Sequence, residues 1–106
     1  MAYVPPFADN VLKKICDVLG NTESGLTGSE ITELLDRLEI EDPSPFMTKR
    51  KRLFLALKEK QERDGSGNSI VAFIYAAMDP VRYVDKKEHF EELRKRLNDE
   101  NCILMS

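Results

Sequence analysis

The chain has 106 residues, 42% of them hydrophobic and 33% charged, with a net charge of −3. That length and apolar share suit one modest core rather than two, and no apolar run approaches the ~20 residues of a membrane-spanning helix. The acidic balance excludes attraction of the whole molecule to nucleic acid and leaves only local attraction.

In chain order, Pro5-Pro6 sets an extended approach to a first helix over residues 7–19. Its apolar residues Phe7, Val11, Leu12, Ile15, Val18 and Leu19 recur at helical steps. Gly20 is the expected left-handed stop. Thr27-Gly28-Ser29-Glu30 has capping-box spacing, and Ile31, Leu34, Leu35 and Leu38 then share one helical face. Asp42-Pro43-Ser44-Pro45 breaks that helix, because each proline lacks a donor and restricts the residue before it. Thr48 is the expected cap of a third helix over residues 48–63. Its buried stripe would be Leu53, Phe54, Ala56, Leu57 and the stem of Lys60.

Asp64-Gly65-Ser66-Gly67-Asn68 reads as a turn. Residues 69–78 are almost wholly apolar and fit either a buried helix or a buried strand. The alanines and the length favour a central helix. Asp79-Pro80 ends it, residues 81–84 read as a short extended connector, and Asp85-Lys86-Lys87-Glu88 opens a last helix that carries Phe90, Leu93 and Leu97 inward. The expected architecture is all-α, a compact bundle of about five helices forming one domain over residues 1–98. A tail over 99–106 carries the apolar trio Ile103, Leu104 and Met105.

Charge is divided along the chain. Residues 1–48 carry −6, residues 49–63 carry +5 and residues 64–106 carry −2. The positive block opens with Lys49, Arg50, Lys51 and Arg52. In a helix-turn-helix-like core, residues 29–38 would support and residues 48–63 would present these cations to a phosphate backbone, aided by the helix dipole. The bland alternative is a solvated face balancing the acidic first half, and the connector over 39–47 is long for such a turn. Arg82 and Tyr83 form a second candidate, a cation and an aromatic suited to a contact hot spot. Their bland alternative has Tyr83 filling a core edge and Arg82 paired with a carboxylate.

The Asp64-to-Asn68 turn resembles a phosphate cradle only loosely. It lacks the Gly-Lys-Ser/Thr ending, Asp64 would repel an anion, and a loop capped by Asn68 or Ser66 is the simpler reading. His89 stands alone without metal-ligand spacing or a nucleophile and is expected at the surface. The acidic pairs around Glu39 and Glu91 lie in polar sequence and read as solvated. No catalytic residue, cofactor or metal is therefore expected. Cys16 and Cys102 are far apart. Cys16 reads as a small buried hydrophobe, and reduced thiols fit a cytoplasmic protein. The N-terminus shows no secretory pattern.

Four stretches resemble one family. They are Gly25-Leu26-Thr27-Gly28-Ser29-Glu30-Ile31, Lys51-Arg52-Leu53-Phe54-Leu55-Ala56-Leu57, Asp64-Gly65-Ser66-Gly67-Asn68 and Ala77-Met78-Asp79-Pro80-Val81-Arg82-Tyr83. They are similar to the N-terminal region of the Ymh-type family of prokaryotic proteins, over most of residues 10–98. The resemblance implies a helical region followed by a further domain, in mobile or defence-associated bacterial loci, with no activity attached to the helical part. This chain stops at Ser106 where such relatives continue, as a stand-alone version or an excised module would. The expected function is a non-enzymatic helical interaction module for a protein partner or second domain. Nucleic-acid binding through the basic helix start is the alternative.

Overall fold

The computed structural model describes residues 3–21, 25–44, 46–84 and 86–99. They form α1 (Asp9–Leu19), α2 (Gly28–Arg37), α3 (Lys49–Asp64), α4 (Asn68–Ala77), a 3-10 turn (Pro80–Tyr83) and α5 (Lys87–Asp99). The fold is an all-α bundle, with no strand among the described residues. Asp85 and the apolar trio Ile103, Leu104 and Met105 lie outside them, as does Cys102. No helix among the described residues is long and apolar enough to cross a membrane.

The helix α1 buries Leu12, Ile15, Cys16, Val18 and Leu19 and exposes Lys13 and Lys14. It begins at Asp9 rather than residue 7, because the preceding arm is held extended by other partners. Val4 N–H donates to Asn68 Oδ1 at 2.8 Å, and Gly67 N–H donates to the Val4 carbonyl at 2.7 Å. Phe7 N–H donates to Gln61 Oε1 at 2.9 Å, and Gln61 Nε2 donates back to the Phe7 carbonyl at 3.0 Å. The Gln61 amide thus replaces a strand partner, which explains a buried glutamine on a charged helix. The turn holds the chain's own arm, and neither Asn68 nor Ser66 caps α4, whose start has no side-chain cap. A Cβ on Gly67 would stand 2.8 Å from the Pro5 carbonyl oxygen, so this close approach needs glycine.

Gly20 is not left-handed (φ −96°, ψ 12°), contrary to the sequence reading. Its requirement is space. A Cβ there would meet Cys16 O at 2.8 Å and Arg50 N at 3.0 Å, because the end of α1 lies on the first turn of α3.

The helix α2 opens with the expected capping box. Glu30 N–H donates to Thr27 Oγ1 at 3.1 Å, and Thr27 N–H donates to Glu30 Oε1 at 2.9 Å. It closes without glycine. Ile40 N–H donates to the Leu35 carbonyl and Glu39 N–H to the Asp36 carbonyl, a Schellman end that places Glu39 at φ 56° and buries Ile40. A left-handed non-glycine residue costs roughly 1–2 kcal/mol, against ~0.4–1 kcal/mol of extra unfolded-state entropy for glycine. Glu39→Gly is therefore expected to stabilise the protein by about 0.5 kcal/mol, read from urea unfolding. An unchanged or lower midpoint would contradict this account of the helix end.

The central element is α3, packed against α1, α2 and α4. It buries Leu53, Ala56 and Leu57 as expected, leaves Phe54 and Lys60 half-buried, and also buries Arg52 and Gln61. Thr48 occupies the cap position, but its side chain accepts no cap bond. Gly65 ends the helix at φ 69°, a left-handed stop. The helix α4 buries Ile70, Phe73, Ile74 and Ala77 against α2 and α3, while Tyr75 is 53% exposed. Residues 81–84 are not the expected extended connector. Pro80 presets φ at the first turn and Asp79 Oδ1 accepts from Val81 N–H at 3.0 Å, which closes a 3-10 turn instead. The last helix, α5, sets Leu93 and Leu97 into the core against α1.

Candidate functional site

Consecutive helical residues are turned by about 100° from one another, so the four cations at the start of α3 cannot share one direction. Lys49 and Arg52, three apart, face inward. Lys49 Nζ donates to the Asn21 carbonyl at 3.0 Å and the Leu26 carbonyl at 2.8 Å, tying down the connector before α2.

Arg52 is 2% exposed. Its guanidinium grips both Asp42 carboxylate oxygens and also donates to Thr32 Oγ1 at 2.7 Å and the Gly28 carbonyl at 3.2 Å. It is an internal clamp joining α3 to α2 and to the connector over 39–47. The expectation that Lys49 and Arg52 present charge to a partner is corrected. In both cases, backbone carbonyls or a carboxylate on the neighbouring connector satisfy the cation inside the fold.

The Arg52 hydrogen bonds hold the Asp42 carboxyl below its usual 3.8, outweighing the opposing effect of burial. Burial pushes Glu30 up. The Thr27 N–H and hydroxyl together with the charges of Arg82 and Lys86 outweigh it, and its carboxyl ends below the usual 4.5. A carboxyl with a lowered folded pKa stabilises the fold above its unfolded value, and that stabilisation is lost as pH falls through the folded value. On account of these two carboxyls, unfolding free energy should be level from roughly pH 5 to about pH 9 and decline below about pH 4. In urea titrations the gap between the native chain and Asp42→Asn should narrow across the same interval. A gap that persists unchanged into strong acid would contradict the Asp42–Arg52 assignment.

Arg50 and Lys51 face outward. With Lys13 they rim a 420 Å³ groove between α1 and α3, whose remaining lining is Asp17, Cys16, Phe54 and Leu55. Leu55 is 43% exposed, and the half-buried Phe54 ring carries Lys58 Nζ 5.6 Å from its centroid. A second cavity of 170 Å³ continues past Asp17 and Arg50 to Lys14, Val18 and Arg96. Within the described residues, no ion pair or hydrogen bond holds the side chains of Lys13, Lys14, Arg50 or Lys51. By contrast, Arg37, Lys58, Lys60, Arg63 and Arg82 each face a carboxylate.

The second sequence candidate folds inward. Tyr83 is 8% exposed, donates its hydroxyl to the Ala77 carbonyl at 2.9 Å, and packs 5.2 Å from Phe90 and 5.8 Å from His89 between ring centroids. Burial pushes its phenol pKa up. Arg82 is ion-paired with Glu30 of the capping box. Tyr83 as an exposed hot spot is thus corrected: its ring covers the end of α4, and Arg82 serves the α2 cap. These residues line a 310 Å³ cavity with Lys86 and the half-buried His89. Among the described residues, no three His, Cys, Asp or Glu side chains are placed to hold a metal ion.

Sequence reasoning missed Lys13, Lys14 and the exposed apolar contribution of Phe54 and Leu55. The adjacent Lys13-Lys14 pair in the acidic first half was a visible signal. Nothing local, however, says that the polar face of α1 flanks the start of α3. Comparison of the chain with protein-family models, with curated proteins and with solved structures gives no match.

Proposed function

We propose that the chain is a non-enzymatic helical interaction module that recognises a protein partner through the groove between α1 and α3. One observation carries the reading. Three cations from two helices, Lys13, Arg50 and Lys51, none held by a described residue, rim an apolar floor, and Lys14 lines the adjoining cavity. Such a surface has the composition of a recognition site, an apolar anchor point with a charged rim. The Ymh-type resemblance accords with such a module standing ahead of a second domain.

Nucleic-acid binding is the second reading, favoured by the same four cations as phosphate contacts. It is the weaker one, because Lys49 and Arg52 are committed inside the fold and phosphates gain nothing from the floor of Phe54 and Leu55. The test is co-purification with the tagged chain, its Arg50→Glu/Lys51→Glu variant and a Lys87→Glu control outside the groove. A protein retained by the native chain and the control but lost from the double variant supports the reading. Nucleic acid lost in that pattern, with strong salt dependence, would replace it with the second.

A further inference from the structure

Resting on that reading, we infer that the groove's occupant is an acidic amphipathic helix that lays apolar side chains on Phe54 and Leu55 and carboxylates beside Lys13, Arg50 and Lys51. The inference comes from charge complementarity and shape. Three of the four charged side chains lining the groove are cationic, and the adjoining cavity adds Lys14. Asp17 is the one carboxylate among the lining residues.

The lining residues of α1 span one helical turn, from Lys13 to Asp17, and those of α3 run from Arg50 to Leu55. At 1.5 Å per residue the two walls are roughly 6–8 Å long. An approaching helix presents side chains at i and i+4 over the same distance, so two apolar anchors fit the groove and the flanking positions reach its rim. The 420 Å³ volume lies within the ~300–1,000 Å³ of ligand-holding clefts. A phosphate backbone has no apolar anchors, and a basic helix would be repelled at the rim. An acidic helix gains on both counts, with its charges setting capture rate and orientation and its apolar pair setting residence.

The probe is a fluorescein-labelled Ala-rich helix with Leu at i and i+4 and Glu at the flanking positions. A twin peptide with Lys for Glu and a short DNA duplex accompany it, all read by anisotropy with the full chain. The acidic peptide should bind, weaken as salt is added, and lose about ten-fold or more in affinity with Arg50→Glu/Lys51→Glu. Leu55→Ser should weaken it while leaving its salt dependence in place. Far-ultraviolet circular dichroism of each variant must match the native chain, which the exposure of all three side chains predicts.

Equal binding of the Lys twin, or insensitivity to the double variant, overturns the inference. If a protein co-purifies through Arg50 and Lys51 while the acidic peptide fails, the occupant is wrong and the module reading stands. If the duplex alone binds and is lost with the double variant, both fall. Sedimentation showing a dimer that Arg50→Glu/Lys51→Glu dissociates would give the groove to a second copy and also overturn the acidic-helix assignment.

Discussion

Replacing Arg52 with methionine is expected to destabilise the protein by about 3 kcal/mol. The side chain is nearly sealed from water, and its guanidinium satisfies Asp42, Thr32 and the Gly28 carbonyl at once. Methionine fills similar space but leaves those acceptors without their donor, and breaking one side of a buried pair typically costs ~3–5 kcal/mol. The lower figure applies because the Asp42 side chain keeps 27% exposure and can be rehydrated. Small domains have only ~5–15 kcal/mol in total, so the thermal midpoint should fall by roughly 15 °C.

Arg50→Met, two residues away, should change stability by less than about 0.5 kcal/mol, since that side chain is exposed and held by no described partner. Urea unfolding of the two variants side by side decides the matter. Equal midpoints would refute the inward clamp, and with it the claim that only half of the basic block is available to a partner.

Phe73→Ala should cost about 4 kcal/mol, and Tyr75→Ala well under 1 kcal/mol. Phe73 is fully buried and Tyr75 is more than half exposed. The pair separates the two readings that residues 69–78 allowed. In a strand, positions two apart face the same side and both truncations would be severe. In a helix, positions 73 and 75 are turned by about 200° from each other. Comparable losses at both sites would contradict α4 as a helix.

The helices were legible because their signals are local. The apolar stripe of α1, the Thr27–Glu30 box, Gly65 and the inward pair Leu93 and Leu97 all act within a few residues of chain. The misreadings arose where a distant segment decides. Gly20 looks like a stop signal, yet it is needed because the backbone of Arg50 lies against it. Asn68 looks like a cap, yet it serves Val4. Residues 81–84 are the exception, since the signal there is local: Asp79 Oδ1 accepts from Val81 N–H and a proline opens the 3-10 turn, in a stretch that looks extended. Residues 69–78 look like the centre of the molecule because they are apolar. The charged α3 holds that place, since Lys49, Arg52 and Gln61 each find internal acceptors and the remaining charges turn outward.

By itself the sequence placed the helices and apolar stripes of α1, α2, α3 and α5, because helical period and capping depend on neighbours in the chain, whereas for residues 69–78 it left helix and strand both open. It also placed a block of positive charge in an acidic protein. Only the tertiary structure decided what that charge does. Asp42 and the carbonyls of Asn21, Gly28 and Leu26 come within reach of α3 only after packing, and they claim Lys49 and Arg52. The docking of α1 then sets Lys13 and Lys14 beside the two cations that remain. A charged side chain's role is fixed by which oxygens surround it in space, and that arrangement does not exist until the helices meet.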